Sequence, residues 1–231
     1  MNEGAFLISI KDAAKVLKKM NFLKGQNLNN IGIYSKASLS VAHDNDLNLI
    51  YQTAIDNYDY ELLLDDDSIF QLSKKDDKYR YAFIQSQSVY FSFMDFLYEI
   101  FNDDEFPTDE EIEEMKILLA EEYEQRKSEQ KINSGAMYIR YDVDSWGYKP
   151  NIHSYAHFHI GLNNNIRLPS SLILTPISFV LFIVKHVYTH LWEDAINKNI
   201  INEHVFQFKR LCEDIPSSFW HLKETRDLFF K

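Results

Sequence analysis

A single cysteine, Cys212, rules out any disulfide within this chain, and with it the class of small disulfide-stapled secreted domains. Six glycines and five prolines among 231 residues are too few for a collagen-like, linker-rich or low-complexity protein. Long apolar runs are missing as well. The most apolar window, Leu172 to Val184, holds Pro176 and is closed by Lys185; it is too short for a bilayer and suits a buried core helix. The opening MNEGAFLISIKDAAKVLKK has its apolar run broken at Lys11 and Asp12, so no signal peptide is read there. With the lone cysteine, this predicts a cytoplasmic chain without a membrane partner. P-loop, GxGxxG, GxSxG and CxxC motifs are absent, and no repeat of fixed period occurs.

What the chain has in quantity is aromatic residues. Fourteen Tyr and seventeen Phe imply a core packed largely by rings, which suits mixed helix and strand. The net charge of −11 argues at first against a polyanionic partner. Its location changes that inference. Asp103 to Gln130 carries twelve acidic and three basic residues, a net of −9, which leaves −2 for all the rest.

Periodicity sets the expected fold. Ile10, Ala13, Ala14 and Leu17 mark an amphipathic first helix, and 21–30 reads as a loop. Leu47 to Ile55 marks a second helix. Tyr60 to Leu64, Ser68 to Ser73 and Tyr79 to Gln85 read as strands joined by polar turns, an antiparallel meander. The triple Asp at 65–67 is expected at a solvated hairpin tip. Ser92 to Phe101 returns to helical spacing. Thr108 and Glu111 form a capping box for a long acidic helix over 108–130, with Ile112, Met115, Leu118, Leu119 and Tyr123 as its apolar stripe. Thr175-Pro176 opens a core helix whose stripe runs through His186 and His190, and helices over 202–211 and 217–230 finish the chain. The expected class is α+β: an antiparallel sheet of about five to six strands, covered by helices, with helical N- and C-terminal parts. One domain, 1–231, is expected, with the acidic helix protruding.

The chemistry gathers between these helices. Met137 to Asp142 alternates, so Tyr138, Arg140 and Asp142 share one strand face. In the strand from Tyr155 to Gly161, His157 and His159 share a face with Tyr155. Paired as neighbours, the two strands would bring Arg140, Asp142, His157 and His159 to one patch. Asn163-Asn164-Asn165 then reads as a turn into a short strand carrying Arg167. Two chemistries fit. His157 and His159, with Asp142 or His153, can hold a divalent metal that activates water or a phosphate. Alternatively, one histidine is base and the other acid, with Arg140 or Arg167 stabilising a phosphoryl charge and Asp142 orienting an imidazole. The bland reading, half-buried polar residues satisfying one another, stands beside both. His43, His186, His190, His204 and His221 read as structural or surface residues.

The segments DYELLLDDDSIFQLSKKDDKYRYAF, IRYDVDSW and HSYAHFHIGLNNNIRLPSSLILTPISFVLFIVKHVY, in that order over about 58–190, resemble the bacterial family catalogued as domain of unknown function 2290. The Arg-Tyr-Asp strand followed by His-x-His is also similar to some toxin proteins of toxin–antitoxin and phage-defence loci. That likeness implies an effector acting on RNA or nucleotides, a nuclease or nucleotide-processing enzyme, with Arg140, Asp142, His157 and His159 as catalytic residues. Arg167, Tyr138 and His153 are then expected to bind substrate. The rival expectation is a non-catalytic interaction or sensor protein that docks on a protein partner through the acidic helix.

Overall fold

The computed structural model describes residues 1–87, 92–101, 106–128, 136–162, 166–202, 211–222 and 224–226. They divide into two compact units, one formed by residues 1–85 with 137–231 and the other by residues 86–136.

The larger unit is built on a seven-stranded antiparallel sheet. Its strands are β1 (Leu23–Gln26), β2 (Leu62–Leu64), β3 (Ile69–Lys75), β4 (Lys78–Ile84), β5 (Tyr138–Val143), β6 (Ala156–Ile160) and β7 (Ile166–Pro169), in that spatial order. Every strand pairs with its sequence neighbour, a plain meander. The expected class is therefore observed: an α+β fold with an antiparallel sheet and helices packed on it.

Helix α1 (Glu3–Lys19) starts at Asn2, whose side chain accepts the Ala5 N–H, and buries Phe6, Ile10, Ala13, Ala14 and Leu17. Helix α7 (Pro176–Val187) starts as expected at Thr175, which accepts from the Ser178 N–H. Its N-terminus is tied to α1 where the Ser9 hydroxyl accepts the Ile177 N–H at 3.0 Å. Between these helices and the sheet lies the aromatic core. Phe179 packs on Phe70, Tyr81 and Phe158, and Tyr81 stacks on Tyr141 with centroids 5.8 Å apart. Tyr81 and Tyr141 are fully buried, and their hydroxyls donate to the Leu174 and Leu172 carbonyls, so neither of these phenols is left unpaired. This fixes the sheet's apolar face and, by alternation, its polar one.

Several expectations need correction. Residues 23–26 form an edge strand where a loop was expected; four residues with a register shift between Leu23 and Gly25 leave too short a pattern to see. A six-residue helix, α2 (Lys36–Val41), was also not foreseen; α3 (Leu47–Asp56) follows it. At the triple Asp, Asp66 is not solvated. It is buried, and its carboxylate accepts from Tyr188 at 2.6 Å and from the Ser68 N–H and hydroxyl. The stripe through His190 is interrupted, because α7 ends before Tyr188 and a separate helix, α8 (Thr189–Asn197), begins. His186 and His190 are thus on different helices. Near the C-terminus, 217–219 and 224–226 are single 3₁₀ turns, and a short strand at 213–214 pairs with 172–173. Residues 203–210, 223 and 227–230 of the two expected terminal helices, with His204, and the Asn163–Asn165 turn lie outside the described residues.

In the smaller unit, α4 (Phe93–Ile100) has a capping box between Ser92 and Asp95, and Phe93 and Phe96 pack on Tyr123. The acidic stretch is two helices, α5 (Asp109–Leu118) and α6 (Ala120–Ser128), divided at Leu119. Glu111 does accept from the Thr108 N–H at 2.8 Å, as the capping motif implied. Leu118, expected within the apolar stripe, is 78 % exposed; it closes α5 six residues after Ile112, which puts it about 120° round the helix from that residue.

Candidate functional site

Strand pairing lays out the polar face in two rows. One runs Arg80, Asp142, His157, Pro169 across β4 to β7; the other runs Ala82, Arg140, His159, Arg167. Side chains directly opposite on one sheet face are near neighbours. The expected pairing of the Arg-Tyr-Asp strand with the His-x-His strand is thus present, and Arg140, Asp142, His157 and His159 come together.

The contacts are close. Asp142 Oδ2 lies 3.2 Å from His159 Nε2 and 3.2 Å from the Arg140 guanidinium. His159 Nε2 faces His157 Nε2 at 2.9 Å. His157 Nδ1 points the other way, 2.8 Å from the Ser154 carbonyl. A carbonyl can only accept, so Nδ1 carries the proton of a neutral His157 and its Nε2 presents a lone pair. The Nδ1 atoms of His159 and His153 are buried without a hydrogen-bond partner. The His153 ring packs on His157 and the His157 ring on His159, with centroids 4.7 and 4.6 Å apart, so the three imidazoles form a row.

Electrostatics follow from this packing. Burial acts against the charge on Asp142, but the His159 hydrogen bond and the Arg140 and Arg80 charges outweigh it and hold the carboxyl well below its ordinary range. Burial, with His159 alongside, pushes His157 down to about 4, so this imidazole is neutral at pH 7. Burial and Arg167 likewise lower His153.

Of the expected binding residues, Tyr138 lies on the same face, with the Arg140 guanidinium 5.9 Å from its ring centre. Arg167 sits at the exposed end of its row, opposite His159. Two further residues belong to the site and were not singled out from the sequence. Arg80 is paired with Asp142, its Nε 3.4 Å from Oδ1. Its place between Tyr79 and Tyr81 in an alternating strand was the available signal. His43, read as an isolated histidine, follows α2 and lines a pocket of about 200 Å³ with Tyr138, Arg140 and Gly161. Burial, Arg140 and Arg80 lower it, and Asp142 raises it, so it lies within the site's field. No local pattern announces His43, because α2 reaches the sheet through the loops on either side of it.

Residues 16–223 match the family described as Uncharacterized conserved protein (DUF2290). The chain belongs to this family. The match extends well beyond the 58–190 segments that first suggested it and takes in both rows of the polar face together with α2 and His43. No curated protein and no solved structure matches the chain. No helix among the described residues is long and apolar enough to cross a membrane.

Proposed function

We propose that this protein is an enzyme of phosphodiester or nucleotide chemistry, a toxin-like effector of a bacterial defence or toxin–antitoxin locus acting on RNA or nucleotides. One observation carries the reading: two imidazole Nε2 atoms and the Asp142 carboxylate converge beside Arg140 and Arg80, with Arg167 in the adjoining row. In this reading the half-exposed Arg80 and the exposed Arg167 draw in a phosphate. Arg140, buried beside Asp142, stabilises charge that develops on it. His157 and His159 supply the atoms that take a proton or hold a cation. Tyr138 and His153 flank the substrate. The likeness of the Arg-Tyr-Asp and His-x-His strands to toxin proteins supports the effector role.

The test is to express the wild type and His157→Ala from a tightly controlled promoter and to compare growth and total RNA. Growth arrest with RNA loss in the wild type alone is the expected result. Matching growth and undamaged RNA in both, with both proteins folded by circular dichroism, would remove the effector reading.

A second reading has its own observation. Ile117 and Leu118 are 83 % and 78 % exposed at the end of the acidic α5. Paired apolar residues within an acidic surface suit docking on a basic protein partner. On this reading, charge reversal along α5 abolishes a pull-down from the native cell and His157→Ala leaves it unchanged.

A further inference from the structure

We propose that Asp142, His157 and His159 bind one divalent transition-metal ion through Oδ2, Nε2 and Nε2. This deepens the phosphate-handling reading and rests on it for what the ion does there.

The argument begins with protons. Three atoms able to ligate a metal face one another, all within 4.8 Å. The His157 proton is committed to the Ser154 carbonyl through Nδ1. Asp142 Oδ2 accepts from the Arg140 guanidinium at 3.2 Å. At most one proton, on His159 Nε2, is left, and it faces two acceptors, Asp142 Oδ2 at 3.2 Å and His157 Nε2 at 2.9 Å. With the His159 proton moved to its unpartnered Nδ1, all three atoms are free to bind one cation.

The two separations made by His159 Nε2 fit an ion. At metal–ligand lengths of roughly 2.1 Å, separations of 2.9 Å and 3.2 Å subtend about 90° and about 100°, between octahedral and tetrahedral edges. The second layer is also of the kind ligands need. The Ser154 carbonyl fixes the tautomer and ring angle of His157, while Arg140 and Arg80 fix the carboxylate. Two imidazoles and one carboxylate select Zn²⁺, Mn²⁺, Fe²⁺ or Co²⁺ over Mg²⁺ or Ca²⁺, which prefer oxygen. Three protein ligands leave positions for water and for a substrate oxygen. The Asp142 side chain keeps 14 % exposure, so the cluster is reachable. With the ion in place, one carboxylate faces a divalent cation and two guanidinium groups, a strongly positive centre suited to a phosphate.

The experiment uses the full chain, stripped with chelator and titrated with Zn²⁺, Mn²⁺ and Co²⁺ by calorimetry, with elemental analysis for stoichiometry. One bound equivalent, lost in Asp142→Asn and in His157→Gln, is expected. X-ray absorption on the Zn²⁺-loaded wild type needs no variant and should show two imidazoles. A folded wild type that binds none of the three ions overturns the site, as does an absorption spectrum without imidazole or binding unchanged in both variants. RNA cleavage that persists in chelator overturns the ion and keeps the phosphate reading. A bound ion with no RNA or nucleotide turned over does the reverse.

Discussion

The Nε2 atoms of His157 and His159 face each other at 2.9 Å from alternate positions of one strand. Side chains two apart on a strand normally point the same way without bonding. Here Ser154 pins one ring and Asp142 the other, so the two tips are held together. The pair should therefore behave as a unit. His157→Ala and His159→Ala should be non-additive in urea denaturation, with a coupling on the order of 1 kcal/mol. Additivity within a few tenths would show that the rings do not meet in solution.

Arg140 and Arg80 hold the same carboxylate from different environments. Arg140 is buried, and its loss leaves Asp142 inside the protein short of a partner. Arg140→Ala should cost about 3 kcal/mol or more. The Arg80 side chain is 48 % exposed, so Arg80→Ala should cost less than about 1 kcal/mol. On the proposed phosphate-handling function, its effect should fall on turnover of an RNA or nucleotide substrate, by about tenfold or more, since its guanidinium is half-exposed beside the cluster. Denaturant midpoints and initial rates on both variants separate the two roles.

Legibility in the sequence followed sequence distance. Alternation in YIRYDV and YAHFHIG placed Arg140, Asp142, His157 and His159 on matching faces, because a strand pattern is local and the two strands are adjacent in the chain. The Thr175 cap was readable for the same reason. Arg80 joins Asp142 only through pairing of β4 with β5, which are separated by the whole smaller unit. His43 reaches the site through a six-residue helix with no apolar period of its own. Breaks at Leu119 and Tyr188 were hidden because neither residue is a helix breaker. At Tyr188 the tertiary bond to Asp66 accompanies the break.

Trp146 is 89 % exposed in the connection from β5 to β6, the loop that also carries His153. Its backbone N–H donates to Asp144 Oδ1 at 3.0 Å, and a Cβ on the following Gly147 would come to 3.0 Å from the His153 ring. The loop is thus packed against the site while the indole faces solvent. An indole in that position suits stacking on a base. Trp146→Ala should leave the melting midpoint unchanged and weaken a single-stranded RNA oligonucleotide by about 1–3 kcal/mol. Fluorescence quenching of the indole on RNA addition gives the same answer from the wild type, and no quenching would count against it.

Glu61 governs the segment that leads to α2, at a distance from the imidazoles. Its buried carboxylate accepts the Gly32 N–H at 2.8 Å, the Tyr34 hydroxyl at 3.0 Å and the Leu72 N–H at 2.6 Å. Nearby, Asp59 takes the Ser35 N–H and hydroxyl, so two acids anchor 32–35. Gly32 is required there. Its φ is +69°, and a Cβ would lie 2.9 Å from Ser73 Cβ. Burial raises Glu61 to about 7, although its three hydrogen bonds pull the other way. Since its ordinary value is 4.5, the folded state binds this proton more tightly than the unfolded chain does. The stability it contributes is therefore full below pH 4.5 and is lost as pH rises through about 7, by up to roughly 3 kcal/mol. Glu61→Gln removes the titration. The stability of the wild type relative to Glu61→Gln should fall between pH 5 and pH 8 in denaturant titrations. A difference that stays constant or grows with pH would mean that the carboxylate is ionised throughout and that the anchor of α2 does not respond to pH.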